Sequence, residues 1–555
     1  MNKKVCSFPI LFALLALLIG TCAVVFPASA QAAPTSTGSI TVSGTVASSY
    51  DAYQIFSANV VDGDSDAKIA TDLAWASDAV RDAALPVLHS AGMPNSQTTA
   101  QEAAEWLNTD SHLTSALSAQ LARSLQSSGA VSVALNAGTE AELPCGYWLI
   151  VADDDAIAQG EAGTAPIMAL VGGSAVTVKP KAATPKVSKR VLEDSTAAWQ
   201  KAADATVADD LYWRLSATVP AGLTAYDTYT VKFVDTMSAG LDPSKVAASM
   251  RVYVAAGADG GFDSVQTGKD GRVGTEPAKG WTDITAQCAT KVAADGTFTV
   301  RTGDLIAALG GADAFTAGAR VVAVYNAPLN SACNHGIAKG NPNEVYLRYP
   351  RSPFADQSGD AGFTRTPSDD ACAYTWDLAL TKRGSDGDKP LAGAVLSIAD
   401  DRGRTLAADG TWDAEGKATV TTGEDGRVTV SGVDSGKLEV RELKAPKGYT
   451  AFEGTRSVTV KAEGLDVDQV AAAKPKLTIT AESPLRADSA DGSTGSLEAS
   501  LINTPTGTPP SITTGGFMPS TGDMAMFTAA AAAVAGAALI VVALLVKRGG
   551  GSHKE

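Results

Sequence analysis

A run of apolar residues over 525–546, closed by Lys547 and Arg548, sets the terms on which the rest of the chain can fold. At about 22 residues it is long enough to cross a bilayer as one helix, and the basic pair holds its far end in the cytoplasm. The N-terminus carries a matching export signal. Lys3 and Lys4 precede an apolar core over 8–26, and Ala28-Ser29-Ala30 supplies the small residues a signal peptidase needs, so residues 1–30 are a signal peptide and the mature chain begins near Gln31 or Pro34. Cys22 offers a lipoprotein reading, but Thr21 is a poor residue in front of a lipidated cysteine. What lies between the two segments is therefore exported. It amounts to roughly 480 residues, too many for one hydrophobic core and enough for three domains.

The internal pattern divides the same way. Residues 34–178 open with alternating Ile40, Val42 and Val46, continue through Tyr53-Gln54-Ile55-Phe56, and close with Gly146-Tyr147-Trp148-Leu149-Ile150-Val151. Two Ala-rich stretches at 67–88 and 99–125 carry apolar residues three and four apart and predict helices covering one face of a sheet. Residues 179–185 form a Pro-bearing linker, and segments 186–354 and 373–505 read as β-sandwiches, with short Thr- and Val-rich strands between turn residues. The expected class is mainly β: tandem Ig-like β-sandwich domains behind an α+β N-terminal domain. A Thr/Pro/Gly linker at 506–517 follows. The net charge of -16 excludes nucleic acid as a partner, because a phosphate-binding surface needs a basic field.

In the second domain a lysine falls where a strand should turn inward. In Lys186-Val187-Ser188-Lys189-Arg190-Val191, alternation puts Lys189 on one face with Val187 and Val191. The same alternation turns Asp235 inward beside Val231 and Phe233, and Asn343 inward beside Val345, Leu347 and Tyr349. Burial lowers the pKa of a lysine and raises that of an aspartic acid. The amine becomes a nucleophile and the carboxyl a proton donor, so attack on the Asn343 amide would expel ammonia and leave a Lys-Asn isopeptide bond. Asn341 is the rival acceptor. In the third domain Lys382 alternates inward with Leu378 and Leu380 in the same way.

Five features carry resemblances. Met518-Pro519-Ser520-Thr521-Gly522, directly before the apolar run, resembles the Leu-Pro-x-Thr-Gly signal that sortase cuts between Thr and Gly, with Met518 in place of Leu. Val178-Lys179-Pro180-Lys181 resembles the Tyr-Pro-Lys element of Gram-positive shaft pilins, which implies Lys181 as the polymerising nucleophile, with Lys179 in place of Tyr. Lys68 is the only lysine between residues 34 and 178. The 186–354 segment resembles the isopeptide-forming D2 domain of fimbrial proteins, through its lysine strand, Asp235 to Leu241 turn and terminal Asn strand. Glu442-Leu-Lys-Ala-Pro-Lys-Gly-Tyr449 and the final Ala499-Ser-Leu-Ile-Asn503 resemble the prealbumin-like domain of collagen-adhesin stalks and pilins; this implies Lys382 as amine, Asn503 as acceptor and Glu442 as catalytic acid. The Tyr-Gln-Ile-Phe opening is similar to some actinobacterial fimbrial proteins.

Together these imply a fimbrial subunit of a Gram-positive bacterium, anchored to peptidoglycan. Its partners would be sortase and further copies of itself, with Lys181 of one copy bonded to Thr521 of the next. The alternative is a wall-anchored monomeric adhesin or accessory pilin that binds a host surface ligand through its first domain. No cofactor, metal site or enzymatic turnover is expected. Asp62, Asp64 and Asp66 lack the Gly and Glu that complete a calcium loop. Cys145 has no identifiable glutamine partner for a thioester. Cys145, Cys288, Cys333 and Cys372 allow three disulfide pairings, of which Cys288 with Cys333 is favoured because both lie in the second domain.

Overall fold

The computed structural model describes residues 36–507 apart from 65–66, 110, 181–183, 222 and 258–279. The signal peptide, Asp66, Lys181, the sorting motif Met518 to Gly522, the apolar run and the basic tail lie outside the described residues. The described chain is mainly β and builds three successive bodies.

The first body is α+β. The strand Thr37–Val42 pairs antiparallel with Glu140–Pro144 and parallel with Val176–Val178. A larger sheet runs in the order Lys68–Trp75, Ser49–Asp62, Gly146–Ala152, Ile167–Val171. Along Ser49–Asp62, Tyr50 and Ala52 pack toward the small sheet with Ile40 and Trp148, whereas Tyr53, Ile55 and Phe56 pack toward three helices. The helices depart from the expectation in two places. Residues 68–75 form a strand, and helix α1 (Asp78–Ser90) starts only where Ser77 accepts the Val80 N–H. The second stretch breaks into α2 (Ala100–Asn108) and α3 (Ser115–Ser128), because Thr99 with Glu102 forms a capping box and Thr114 caps again. Ala-rich periodicity did not reveal these start signals.

The second body is a sandwich. One sheet places Val187–Glu193 beside Tyr212–Thr218, then Arg320–Asn326 and Arg251–Ala255. The other places Asn341–Pro350 between Asp369–Tyr374 and Lys232–Met237. The second sheet therefore extends past the expected boundary at 354. Asp369–Tyr374 is a two-sided strand: Ala371 and Ala373 enter the second core, and Cys372 and Tyr374 enter the third.

The third body sets Trp376–Gly384 between Arg427–Val433 and Ser496–Pro505, the last pairing parallel. Facing it, Gly436–Lys444 lies between Val395–Ala399 and Thr455–Glu463.

Both joints are polar and specific. At the first, Arg123 of α3 donates to the carbonyls of Ala225 and Pro353 at 3.0 and 3.2 Å and pairs with Asp227 at 3.2 Å. At the second, Asp204 accepts from Trp376 Nε1 at 2.6 Å and from the Ser435 N–H at 2.9 Å, while Asp209 takes both Nη atoms of Arg404 at 2.5 and 2.8 Å.

Candidate functional site

Each sandwich encloses one lysine with no exposed surface, and around each the chain assembles a carboxyl group and an asparagine. In the second domain Lys189 comes from Val187–Glu193 in one sheet, whereas Asp235 and Asn343 come from two antiparallel neighbours in the other, Met237 standing opposite Asn343. All three side chains are fully buried. Lys189 Nζ donates to Asp235 Oδ2 and, at 2.9 Å, to the Tyr325 hydroxyl. Asn343 Nδ2 donates to the same hydroxyl at 2.8 Å, and that hydroxyl lies 3.1 Å from Asp235 Oδ2 as its donor. Lys189 and Asn343 thus share Tyr325 as a common partner. The rings of Trp213 and Tyr325 stand 5.5 Å from Nζ, and Phe298 packs edge-on against Tyr325.

This apolar wall costs the charged forms their hydration. Burial pushes Lys189 from an ordinary 10.5 down to about 8, against the opposing pull of Asp235. It pushes Asp235 up from 3.8 to about 6, against the pull of Lys189. Burial thus draws the two values together, so a neutral amine beside a neutral carboxyl is far more accessible here than for the same groups in water. Asp235 Oδ1 and Asn343 Oδ1 are buried without hydrogen-bond partners among the described residues. An amide oxygen in that position gains most when a proton or a donor arrives during a reaction.

The rival, Asn341, is placed differently. Its Nδ2 donates to the carbonyls of Asn334 and Ala373 at 2.9 and 3.2 Å, and its Oδ1 accepts from Asn334 N–H at 2.8 Å. It ties a loop to the neighbouring strand and has no tie to Lys189.

In the third domain the parallel pair Trp376–Gly384 and Ser496–Pro505 carries Lys382 and Asn503, and Glu442 reaches across from Gly436–Lys444. Lys382 Nζ donates to Asn503 Oδ1 and lies 3.3 Å from Glu442 Oε1. Asn503 Nδ2 donates to both Glu442 oxygens at 2.9 and 3.1 Å, and the Phe452 N–H fixes Oε2 from behind at 3.1 Å. Burial holds Lys382 down at about 8, with Glu442 opposing. Here the acid touches the amide directly.

Sequence reasoning missed Tyr325. Its signal was available in Arg320–Asn326, where Val321, Ala323 and Tyr325 alternate into the core. Lys179 is exposed just after Val176–Val178. The four described cysteines are free, so the favoured Cys288–Cys333 pairing is not formed in this structure. Cys288 follows a short turn and its thiol donates to the Ile284 carbonyl, whereas Cys333 lies 3.6 Å from His335 Nε2 in a loop held by Asp377. Asp62 is engaged by Ser174 and Lys68.

Residues 377–474 match the family model of the SpaA prealbumin-like fold domain. A curated relative, the trypsin-resistant surface T6 protein of Streptococcus pyogenes serotype M6, is 30% identical over 143 residues; the match spans 24% of this chain and 24% of the relative, so the chain aligns with about a quarter of that protein's length. Among solved structures, the T6 backbone pilin of the same serotype is 17% identical with a TM-score of 0.46, covering 86% of this chain and 100% of that one. The full-length major pilin SpaD from Corynebacterium diphtheriae is 15% identical with a TM-score of 0.40, again covering 86% and 100%.

Proposed function

We propose that this chain is the repeating subunit of a sortase-assembled surface pilus, stiffened by one Lys-Asn isopeptide bond in each β-sandwich: Lys189 to Asn343 with Asp235 as acid, and Lys382 to Asn503 with Glu442 as acid. The observation that carries the reading is the pair of fully buried lysines, each in hydrogen-bonded reach of a buried carboxyl and a buried asparagine system, in two consecutive sandwiches. A soluble protein has little reason to bury a lysine twice, since an uncompensated ammonium is costly inside a core. Two reactions that each turn the ammonium into a neutral amide remove that cost permanently. The prealbumin-like match over the third sandwich supports the same reading.

Each reaction is intramolecular and runs once. The amine attacks the amide carbon, the carboxyl shuttles protons, and ammonia leaves. Between copies, sortase would join Thr521 to Lys181 and the last subunit to peptidoglycan. Because Lys181 follows the first domain, tension along such a shaft passes through the two sandwiches and leaves the first domain as a side branch, free to carry adhesion.

The test is an immunoblot of muramidase-released, detergent-boiled wall material from cells making wild type or Lys181→Ala. A high-mass ladder that collapses in the variant is expected. A single wall-linked band in both would point to a monomeric adhesin, the reading that Lys179 in place of the pilin tyrosine favours.

A further inference from the structure

The two sandwiches solve one chemical problem with different carboxylic acids. Glu442 contacts the amide nitrogen of Asn503 through both its oxygens. Asp235, one methylene shorter, ends on Lys189 and on Tyr325, and it is Tyr325 that meets the amide nitrogen of Asn343. We propose that the Tyr325 hydroxyl is a catalytic proton relay in the second domain, carrying the proton from Asp235 to the departing nitrogen of Asn343. The proposal rests on the isopeptide reading of that site.

Lys189 gives one proton to Asp235 and becomes a neutral amine. Its lone pair attacks Asn343 Cγ, forming the new C–N bond, and the electron pair of the carbonyl moves to Oδ1. As Cγ becomes tetrahedral, Nδ2 loses its amide conjugation and regains a basic lone pair. Tyr325 then turns from acceptor to donor: its O–H proton passes to Nδ2, while the Asp235 proton replaces it on the phenol oxygen. The Cγ–Nδ2 bond breaks with its electrons on nitrogen, the carbonyl reforms, and ammonia leaves. The remaining Nζ proton in excess of the amide passes to Asp235, so lysine ammonium, Asp235 carboxylate and asparagine amide become a secondary amide, ammonia and the Asp235 acid, whose proton leaves with ammonia as ammonium.

Position supports this role beyond simple contact. The hydroxyl lies within 3.1 Å of all three reacting groups, and no other hydroxyl is hydrogen-bonded to any of them among the described residues. Phe298 holds the ring edge-on, with centroids 4.7 Å apart, so the phenol swings little. Burial holds the Tyr325 phenol well above its ordinary pKa, which keeps its proton available for exchange and prevents a standing phenolate.

The experiment follows bond formation in the full exported chain after a short pulse of synthesis. Samples of wild type, Tyr325→Phe and Tyr325→Phe/Asp235→Glu are digested and the Lys189–Asn343 and Lys382–Asn503 linked peptides are quantified by mass spectrometry. Tyr325→Phe should slow the Lys189–Asn343 bond by about 100-fold, the usual worth of a positioned acid-base group, with the Lys382–Asn503 bond forming at the wild-type rate and reporting an intact fold. Adding Asp235→Glu should recover much of the loss, because the longer carboxyl reaches the amide as Glu442 does. A Tyr325→Phe rate equal to wild type overturns the relay, as does a loss that the glutamate leaves unrescued in a chain whose third domain still crosslinks. If wild type itself lacks the Lys189–Asn343 peptide, the isopeptide reading fails first and the relay with it.

Discussion

Lys382 and Asn503 stand two residues out of register on neighbouring parallel strands: Lys382 lies opposite Leu501 and Asn503 opposite Gly384, yet Nζ reaches Asn503 Oδ1. The offset matches a long aliphatic stem leaning along its strand to a short amide further on. It also aims the amine at the acyl end of the amide, while Glu442 holds the end that must leave.

Glu442→Ala should therefore block the third-domain bond. Intact mass of the ectodomain should rise by one ammonia relative to wild type, apart from the substitution itself. The lysine and asparagine are 121 residues apart, and opening a covalent loop of that size costs about 5 kcal/mol of stability if chain-entropy reasoning for disulfides transfers. A variant with an unchanged ammonia deficit would remove Glu442 from the chemistry.

Asn343→Ala leaves Lys189 and Asp235 buried and unlinked, and its stability should dip near neutrality. Asp235 is raised from 3.8 to about 6, so between those values the folded chain holds a proton the unfolded chain has released, and stability falls as pH rises. Lys189 is lowered from 10.5 to about 8, so between about 8 and 10.5 the unfolded chain holds the extra proton and stability rises with pH. Each limb is worth about 3 kcal/mol. Urea midpoints across this range should show the trough. Wild type should lack the alkaline limb if its lysine nitrogen is the proposed amide, and the same should hold for Asn343→Ala/Lys189→Met.

Much of the site was legible because strand alternation is strict. A period of two placed Lys189, Asp235, Asn343 and Lys382 inward from the sequence alone, and a charged residue at an apolar position is conspicuous. Tyr325 was not conspicuous, since a tyrosine among valines reads as ordinary core, and its meaning depends on a hydroxyl meeting groups from three other strands. Alternation also could not rank Asn341 against Asn343, which share a face; the Asn334 loop that occupies Asn341 is a tertiary fact. The helices failed for a local reason: capping residues, not apolar spacing, decide where α1 to α3 begin. The end of the second domain was missed because Asp369–Tyr374 serves two cores at once, so its apolar pattern belongs to neither alone.

Asp209 clamps the joint between the two sandwiches, pairing with Arg404 through two short bonds and with Arg402 at 3.0 Å while its side chain is only 12% exposed. Asp209→Ala removes the carboxylate that Arg404 and Arg402 share, leaving Arg404 with Asp400 and the half-exposed Arg402 with Asp194, and should weaken the joint by about 1 kcal/mol. In calorimetry of the 186–507 fragment, the transitions of the two domains should separate by several degrees more than in wild type. Coincident shifts of both transitions would assign Asp209 to one domain's own stability.

Pulling the same fragment by its ends should expose an asymmetry between the sandwiches. In the third domain the proposed bond would join the first strand to the last, so almost nothing would lie outside it. In the second domain the chain continues beyond Asn343 through Phe363–Arg365 and Asp369–Tyr374 before entering Trp376–Gly384. That tail of roughly 30 residues is outside the covalent shortcut and can extend by ~110 Å at about 3.5 Å per residue. Its strand pairings with Lys232–Met237 and Ala202–Asp204 hold it, and Asp369 adds a polar tie, accepting the Lys189 backbone N–H at 2.7 Å and the Lys201 ammonium at 2.5 Å. Wild type should thus give a single short step, and Lys201→Ala should lower its force without changing its length. Asn343→Ala should add a release of roughly 150 residues, ~500 Å. A long release in wild type would mean that no covalent path links Lys189 to Asn343, and that the second sandwich resists force with hydrogen bonds alone.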